Sequence, residues 1–284
     1  MKKQIFIAVS ALTLAVLACS PITVNVPQLT TGPTETLEVD EPLPDSESVV
    51  DVTLEMGAGE LRLDGGASSL VEGEIRYNVP DWEPKIENSG DSLLITQGDS
   101  EFNGIPGGDV INKWTLELGD APMNLTIHAG AYEGNFDLSG VRLRNLTIND
   151  GASDSEVTFD SVNPEEMEKL EYSSGASSVK MTGLANANFE EMEFSGGAGD
   201  YTLDFSGDLQ RDATVRVKGG VGEITIIVPE DVKATVSVTK GVGSVDTDGS
   251  WTVAGDEYST GAKEGPELTI YVEMGVGSLN LVSK

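Results

Sequence analysis

The chain has 284 residues, with 17 Lys and Arg against 48 Asp and Glu, one His and one Cys, for a formal net charge of −31. Such a field repels nucleic acid and anionic lipid headgroups, both of which need basic patches to dock, and it attracts cations and cationic peptides. One cysteine leaves nothing for a disulfide or a cysteine metal cluster, while 38% hydrophobic residues with only 6% aromatic residues is enough for a core of aliphatic β-formers.

Residues 1–18 read as a secretory signal: Met1-Lys2-Lys3 is positively charged, Ile5 to Ala18 is apolar and uncharged, and the run is too short for a comfortable membrane span. Val16-Leu17-Ala18-Cys19 resembles the bacterial lipobox. That resemblance implies a diacylglyceryl group on Cys19, which becomes the mature N-terminus; two acyl chains make a stable anchor. The expected location is the extracytoplasmic face of the cell membrane. Cleavage would remove Lys2 and Lys3, leaving 15 basic against 48 acidic residues.

Residues 19–47 read as an extended tether. They hold Pro21, Pro27, Pro33, Pro42 and Pro44 together with Glu35, Glu38, Asp40, Glu41, Asp45 and Glu47. Prolines and like charges keep such a segment open, and no core is expected in it.

From residue 48 the pattern is all-β. A glycine followed by Ala or Val recurs eight times, at Gly57, Gly130, Gly151, Gly175, Gly197, Gly220, Gly241 and Gly275. Three and five places before each lie large apolar residues: Val52/Leu54, Leu125/Ile127, Leu146/Ile148, Leu170/Tyr172, Met192/Phe194, Val215/Val217, Val236/Val238 and Ile270/Val272. Alternating apolar residues also follow each glycine, such as Val157/Phe159 and Tyr201/Leu203. Period-two alternation marks a strand with one buried face. From Gly130 the spacings are 21, 24, 22, 23 and 21 residues, then 34, and a fixed period of this size marks a stacked solenoid.

The expected fold is therefore a β-solenoid, a β-helix-like ladder of two-strand repeats of about 22 residues. Equal offsets let copies stack in register at about 4.8 Å per rung. Glycine fits the bend because stacked corners leave little room for a side chain or require positive φ. The competing arrangement is a sandwich of antiparallel hairpins. Residues 48–150 read as an N-terminal module with longer connections, including Asp81-Trp-Glu-Pro and Asn103-Gly-Ile-Pro-Gly-Gly, and 151–284 as the C-terminal repeats.

The runs Gly57-Ala-Gly-Glu-Leu-Arg-Leu-Asp-Gly-Gly-Ala-Ser-Ser-Leu-Val-Glu-Gly, Leu138-Ser-Gly-Val-Arg-Leu-Arg-Asn-Leu-Thr-Ile-Asn-Asp-Gly-Ala-Ser and Gly275-Val-Gly-Ser-Leu-Asn-Leu resemble the toast-rack domain of bacterial cell-envelope proteins. The resemblance covers residues 48–284, with an N-terminal toast-rack module near 48–150. It implies a scaffold or ligand-sensing surface without catalytic residues or cofactor. Related domains occur in membrane-bound regulators of the response to cell-wall-active antibiotics, usually with transmembrane helices; this chain departs by a lipid anchor.

Few residues point to chemistry. His128 falls on the outward offset of a strand and lacks a second His or a Cys for metal binding; no Gly-x-Ser-x-Gly elbow accompanies it. Asp160, Glu165, Glu166, Glu190, Glu191 and Asp200 offer carboxylates for a glycosidase-type pair, which would also need a cleft. Gly196-Gly-Ala-Gly-Asp-Tyr has its aspartate one place early for a calcium repeat, and Gly219-Gly-Val-Gly-Glu precedes a strand, not the helix of a phosphate loop. Asn124-Leu-Thr and Asn145-Leu-Thr match the glycosylation sequon by chance. The long last interval contains Trp251 and Tyr258, a candidate partner-binding loop or a cap on the core. The expected function is non-enzymatic: an anchored surface for an envelope protein, glycan or cationic peptide, with stress sensing as one role. Self-association through open terminal rungs is the structural alternative, and a carbohydrate-active enzyme is a third.

Overall fold

A computed structural model describes residues 30–45, 48–98 and 110–284. The signal, Cys19 and the Asn103-Gly-Ile-Pro-Gly-Gly connection lie outside the described residues. The strands are β1 (Glu35–Glu41), β2 (Val50–Ala67), β3 (Val71–Tyr77), β4 (Lys85–Asn88), β5 (Ser92–Thr96), β6 (Asn112–Gly119), β7 (Met123–Asp137), β8 (Leu143–Thr158), β9 (Met167–Thr182), β10 (Phe189–Asp204), β11 (Ala213–Val228), β12 (Lys233–Asp248), β13 (Thr252–Ala254), β14 (Glu257–Ser259) and β15 (Glu267–Ser283). They form one mixed sheet running β1-β3-β6-β2-β7-β8-β9-β10-β11-β15-β12-β14-β13, with β5 joined to β2 and β4 to β5.

The ladder expected from the repeat is present, and its rungs are parallel. Each repeat is one continuous strand of about sixteen residues bent at its glycine, not two separate strands. Positions three and five before the glycine and four and six after it point inward from the two arms. On β11, Val215, Val217, Ile224 and Ile226 are each no more than 1% exposed. Both arms of successive rungs contribute to one continuous apolar core. The offsets hold rung to rung: Leu125 pairs with Leu146 and Ile127 with Ile148, Met192 with Leu170 and Phe194 with Tyr172. Like therefore stacks on like, and each large aliphatic or aromatic side chain buried this way contributes about 1.5–3 kcal/mol.

An additional rung precedes β2 and carries no glycine marker. The first arm of β2 pairs with β5 (Val52 with Leu93, Leu54 with Ile95) and the second with β6 (Leu61 with Trp114, Leu63 with Leu116). β5 and β6 are thus two halves of one rung, separated where a glycine bend would otherwise sit. The side chains of Gln97 and Asn112 fill that corner: Gln97 Oε1 accepts from the Gly57 amide at 2.8 Å and from Asn112 Nδ2 at 2.8 Å. Asn112 Nδ2 donates to the Ala58 carbonyl at 2.6 Å, while Asn112 Oδ1 accepts from Trp114 Nε1 at 2.9 Å. Beyond this rung the pairing turns antiparallel, β4 on β5 and β3 then β1 on β6. The described residues of 58–98 and 110–129 are therefore part ladder, part antiparallel cap.

The expectation that 19–47 is wholly a tether is corrected. Residues Glu35–Glu41 form β1, paired in register with β3, and Val39 is 3% exposed. Leu37 and Val39 alternate with Thr36, Glu38 and Asp40, so the strand period was present beneath a proline-rich, acidic composition. The Pro164-Glu-Glu-Met segment leads directly into β9, and helix among the described residues is limited to 3-10 turns at Pro80–Trp82 and Leu184–Ala187.

The order of the last rungs also differs from chain order. β15 lies between β11 and β12, so the rung of Gly275 separates those of Gly220 and Gly241. The long interval before it lets the chain run out past β12, turn back through the β13–β14 hairpin and insert its final strand. On the side opposite the bends, asparagines staple successive connections together. Asn163 is 1% exposed; its Nδ2 donates to the Leu143 and Ala187 carbonyls at 2.7 and 3.2 Å, and its Oδ1 accepts from the Leu143 amide at 3.1 Å. Asn186 donates to the Phe159 carbonyl at 2.8 Å.

Candidate functional site

The glycine corners form a column. A Cβ on Gly151 would lie 2.7 Å from the carbonyl oxygen of Gly130, and one on Gly275 would lie 2.5 Å from that of Gly220. At Gly130, Gly175, Gly197, Gly220 and Gly241 the added carbon would come closer still to the glycine carbonyl of the adjacent rung, whereas Gly57 faces the Gln97 side chain. Close approach, not backbone conformation, therefore requires these glycines. Positive φ belongs to the glycine two places later, at Gly59 (151°), Gly199 (156°), Gly222 (137°) and Gly277 (144°).

Beside this column runs an open groove of about 590 Å³. Its wall is the residue two places before each glycine, one per rung: Thr96, Glu55, His128, Asn149, Ser173 and Ser195. The register places them in line, Thr96 opposite Glu55, then His128, Asn149, Ser173 and Ser195 in turn. Six rungs at the parallel-strand spacing extend over about 24 Å. Met56, Ala129, Asp150 and Ser174, one place closer to the bend, complete the lining with Gln97, Gly57 and Gly130. His128 is thus on the outward face, as expected, but in a groove. Among the described residues no hydrogen bond joins it to a groove serine or carboxylate, so no nucleophile–base pair is formed. No three His, Cys, Asp or Glu side chains among the described residues are grouped so that they could hold a metal ion.

Behind the groove lies a polar cluster that the sequence reading missed. Asp150 stands immediately before the bend, where other copies place Met56, Ala129, Ser174, Lys240, Met274 or glycine. Its Oδ2 accepts from Tyr172 Oη at 2.7 Å, Ser153 Oγ at 2.9 Å and Tyr132 Oη at 3.5 Å, and its Oδ1 from Ser177 Oγ at 3.3 Å. Ser177 Oγ also accepts from the Ser153 amide at 2.9 Å. Burial first, and then coupling to the Tyr132 phenol and the Asp150 carboxylate, drive the Tyr172 phenol far above its ordinary value; burial and Asp150 raise Tyr132 likewise. Tyr201, 2% exposed, stacks edge-on against Phe194 at 5.0 Å and lies against Gly196. Burial, then Asp150, pushes its phenol up to about 12, and its hydroxyl has no hydrogen-bond partner among the described residues. The sequence carries one local sign, Ser155 four places after the bend where the other copies place an apolar residue or glycine, and the tyrosines that complete the cluster come from neighbouring copies.

The other candidates are dispersed. Glu165 is held by Arg142 Nη2 at 2.7 Å and Arg144 Nη1 at 3.2 Å, and hydrogen bonding from Arg142 pulls its carboxyl below the ordinary value. Glu190 and Glu191 line a separate cleft of about 280 Å³ with Asp212 and Glu267. Glu166 is 3.5 Å from Arg211, and neither Asp160 nor Asp200 lines the groove or this cleft. Trp251 and Tyr258 are partly buried against the core, and β14 pairs Tyr258 opposite Val236 of β12. The geometry of both side chains is that of a cap. Asn124 and Asn145 form an amide ladder, Asn145 Nδ2 donating to Asn124 Oδ1 at 2.9 Å and Asn124 Nδ2 to Asp51 at 2.7 Å.

A solved structure of a candidate cell adhesion protein from Clostridium sporogenes is 22% identical, covers 89% of this chain and 99% of its own, and superposes with a TM-score of 0.48. A candidate adhesin from Bacteroides fragilis is 13% identical over 90% and 99% of the two chains, with a TM-score of 0.46. A candidate lipid binding protein from Parabacteroides distasonis is 11% identical over 90% and 99%, with a TM-score of 0.39. No curated protein matches the chain. The family described as the N-terminal domain of toast_rack, DUF2154, matches residues 30–182 and again 163–227, a double match that suits a chain built from one repeated rung. Together these matches cover more than half of the sequence, and the chain belongs to that toast-rack family.

Proposed function

We propose that this protein is a non-enzymatic, membrane-anchored extracytoplasmic scaffold that presents a partner-binding surface at the cell envelope, with envelope stress sensing as its biological setting. The observation that carries the reading is the groove: six rungs supply one outward side chain each, in register, along one continuous recess. The sequence supports the anchor through the lipobox-like Val16-Leu17-Ala18-Cys19. Pull-down from solubilised envelope fragments and from a panel of cationic peptides tests the surface. Saturable capture by the wild type that is lost when Ser195 is replaced by Trp is the expected result, and no saturable capture counts against the proposal. The anchor has its own test: Cys19→Ser is expected to move the protein from the membrane fraction to the soluble one.

A second reading, self-association of an adhesin-like protein, is favoured by one feature. β12 pairs with β15 along its whole length, whereas among the described residues the backbone bonds on its other edge run only from residue 234 to 238, to β14 and its flanks. Residues 239–247 leave an open edge for a second copy. Sedimentation of the full chain over a range of concentrations separates the readings; a concentration-independent monomer removes self-association.

A further inference from the structure

We infer that the groove takes an extended, uncharged glycan strand laid across the rungs, an inference that rests on the reading of this face as a partner surface. Three observations converge on that class of ligand.

The first is the spacing. Hydrogen-bonding side chains recur once per rung, about 4.8 Å apart, over six rungs. An extended β-1,4-linked sugar chain advances by close to that distance per ring and turns alternate rings over, so a given face returns every second ring, in step with every second rung. A peptide in β conformation repeats a given face only about every 6.8 Å and falls out of step within two rungs. It also cannot add as a strand here, because the corner backbone of these rungs is already paired above and below.

The second is the chemistry of the wall. Thr96, Asn149, Ser173 and Ser195 are neutral groups able to donate and accept, with Ser174 and Gln97 beside them. That set suits polyhydroxyl and acetamido groups. Salt-bridge partners for a charged chain are confined to Glu55, His128 and Asp150. The third is the surrounding field: a chain of formal charge −31 repels an anionic polymer before contact, so among glycans it favours an uncharged one. The wall also stops at a charge, since the next residue in the column after Ser195 is Lys218.

The decisive experiment titrates the full-length protein, in a detergent without a sugar headgroup, with β-1,4-linked N-acetylglucosamine oligomers of increasing length. Affinity is expected to rise with each ring and to level off at about six, the number of rungs in the wall. Asn149→Ala is expected to weaken the longer oligomers about fivefold, and Ser195→Trp to abolish the dependence on length while leaving the melting transition in place. If Ser195→Trp does not fold, Asn149→Ala alone decides. Affinity that does not depend on length, that is unchanged by Asn149→Ala, or that is exceeded by extended uncharged peptides overturns the inference. Capture of envelope fragments that Ser195→Trp abolishes but oligosaccharides do not compete with overturns it too, and leaves the partner surface standing. Absence of both capture and oligosaccharide binding removes the two together.

Discussion

At the scale of single residues, the marker glycines are the sharpest case of a sequence pattern with one physical cause. Their carbonyls lie where the next rung's Cβ would be, so Gly197→Val must open the stack or break the bend. A loss of more than about 3 kcal/mol is expected, read by denaturant titration. Asp150 makes a finer prediction. Tyr172→Phe removes the shortest phenolic hydrogen bond to a carboxylate and is expected to cost about 1.5–3 kcal/mol, whereas Tyr201→Phe removes a hydroxyl that has no partner and is expected to be neutral or mildly stabilising. The tyrosines also set an alkaline limit. A phenol whose folded value is raised contributes stability that is present below its unfolded value near 10 and is lost as pH rises toward the folded value, about 12 for Tyr201. The melting temperature is therefore expected to fall above about pH 10, with phenolate absorbance appearing together with unfolding. The glycine column was legible because its apolar flanks repeat without exception; the Asp150 cluster was not, because three of its members, Tyr132, Tyr172 and Ser177, come from neighbouring copies and meet only when the rungs stack.

At the scale of elements, what the sequence concealed was pairing. The alternation of Leu37 and Val39 is short and sits among prolines and acids, and its strand character depends on β3, more than thirty residues away. β5 and β6 each show the right alternation, yet nothing local says that they are halves of one rung, because the corner is made by the side chains of Gln97 and Asn112. Gln97→Ala is expected to destabilise the β2 corner by about 1 kcal/mol by leaving the half-buried Gly57 amide without its side-chain acceptor; amide exchange at Gly57 should accelerate while exchange at Gly197 does not. The β13–β14 hairpin makes a contrasting prediction. Deleting 249–263 is expected to lower the melting temperature, since Trp251 and Tyr258 cover the β12 arm of the core; an unchanged transition would return these residues to the role of a binding loop.

At the scale of the whole molecule, the period near 22 residues was enough to read the ladder, and the family match from residue 30 agrees with a fold that begins at β1, not at residue 48. The groove was not legible: its wall consists of ordinary polar outward residues, and only register turns them into a line. Both ends carry acids on their outer strands, Glu35, Glu38, Asp40 and Glu41 at one and Asp246, Asp248 and Glu257 at the other. Head-to-tail stacking of two copies would set like charges together, so any association through the β12 edge should strengthen with added salt, which sedimentation at two ionic strengths would reveal.

The insertion of β15 between β11 and β12 has a consequence for how the chain is completed during synthesis. From β8 to β11 each rung can dock on its predecessor as it emerges, but β12 has no neighbour on the body of the ladder until the seventeen residues of β15 have been made and have entered the gap. A chain interrupted before β15 therefore loses the seat of two rungs, not one. The C-terminal residues act as a latch, and a nascent protein that lacks them leaves β12 and its hairpin open to proteases. Pulse-labelled chains truncated before Glu267 should show cleavage that reaches back to residue 229, while those ending beyond Val282 should not.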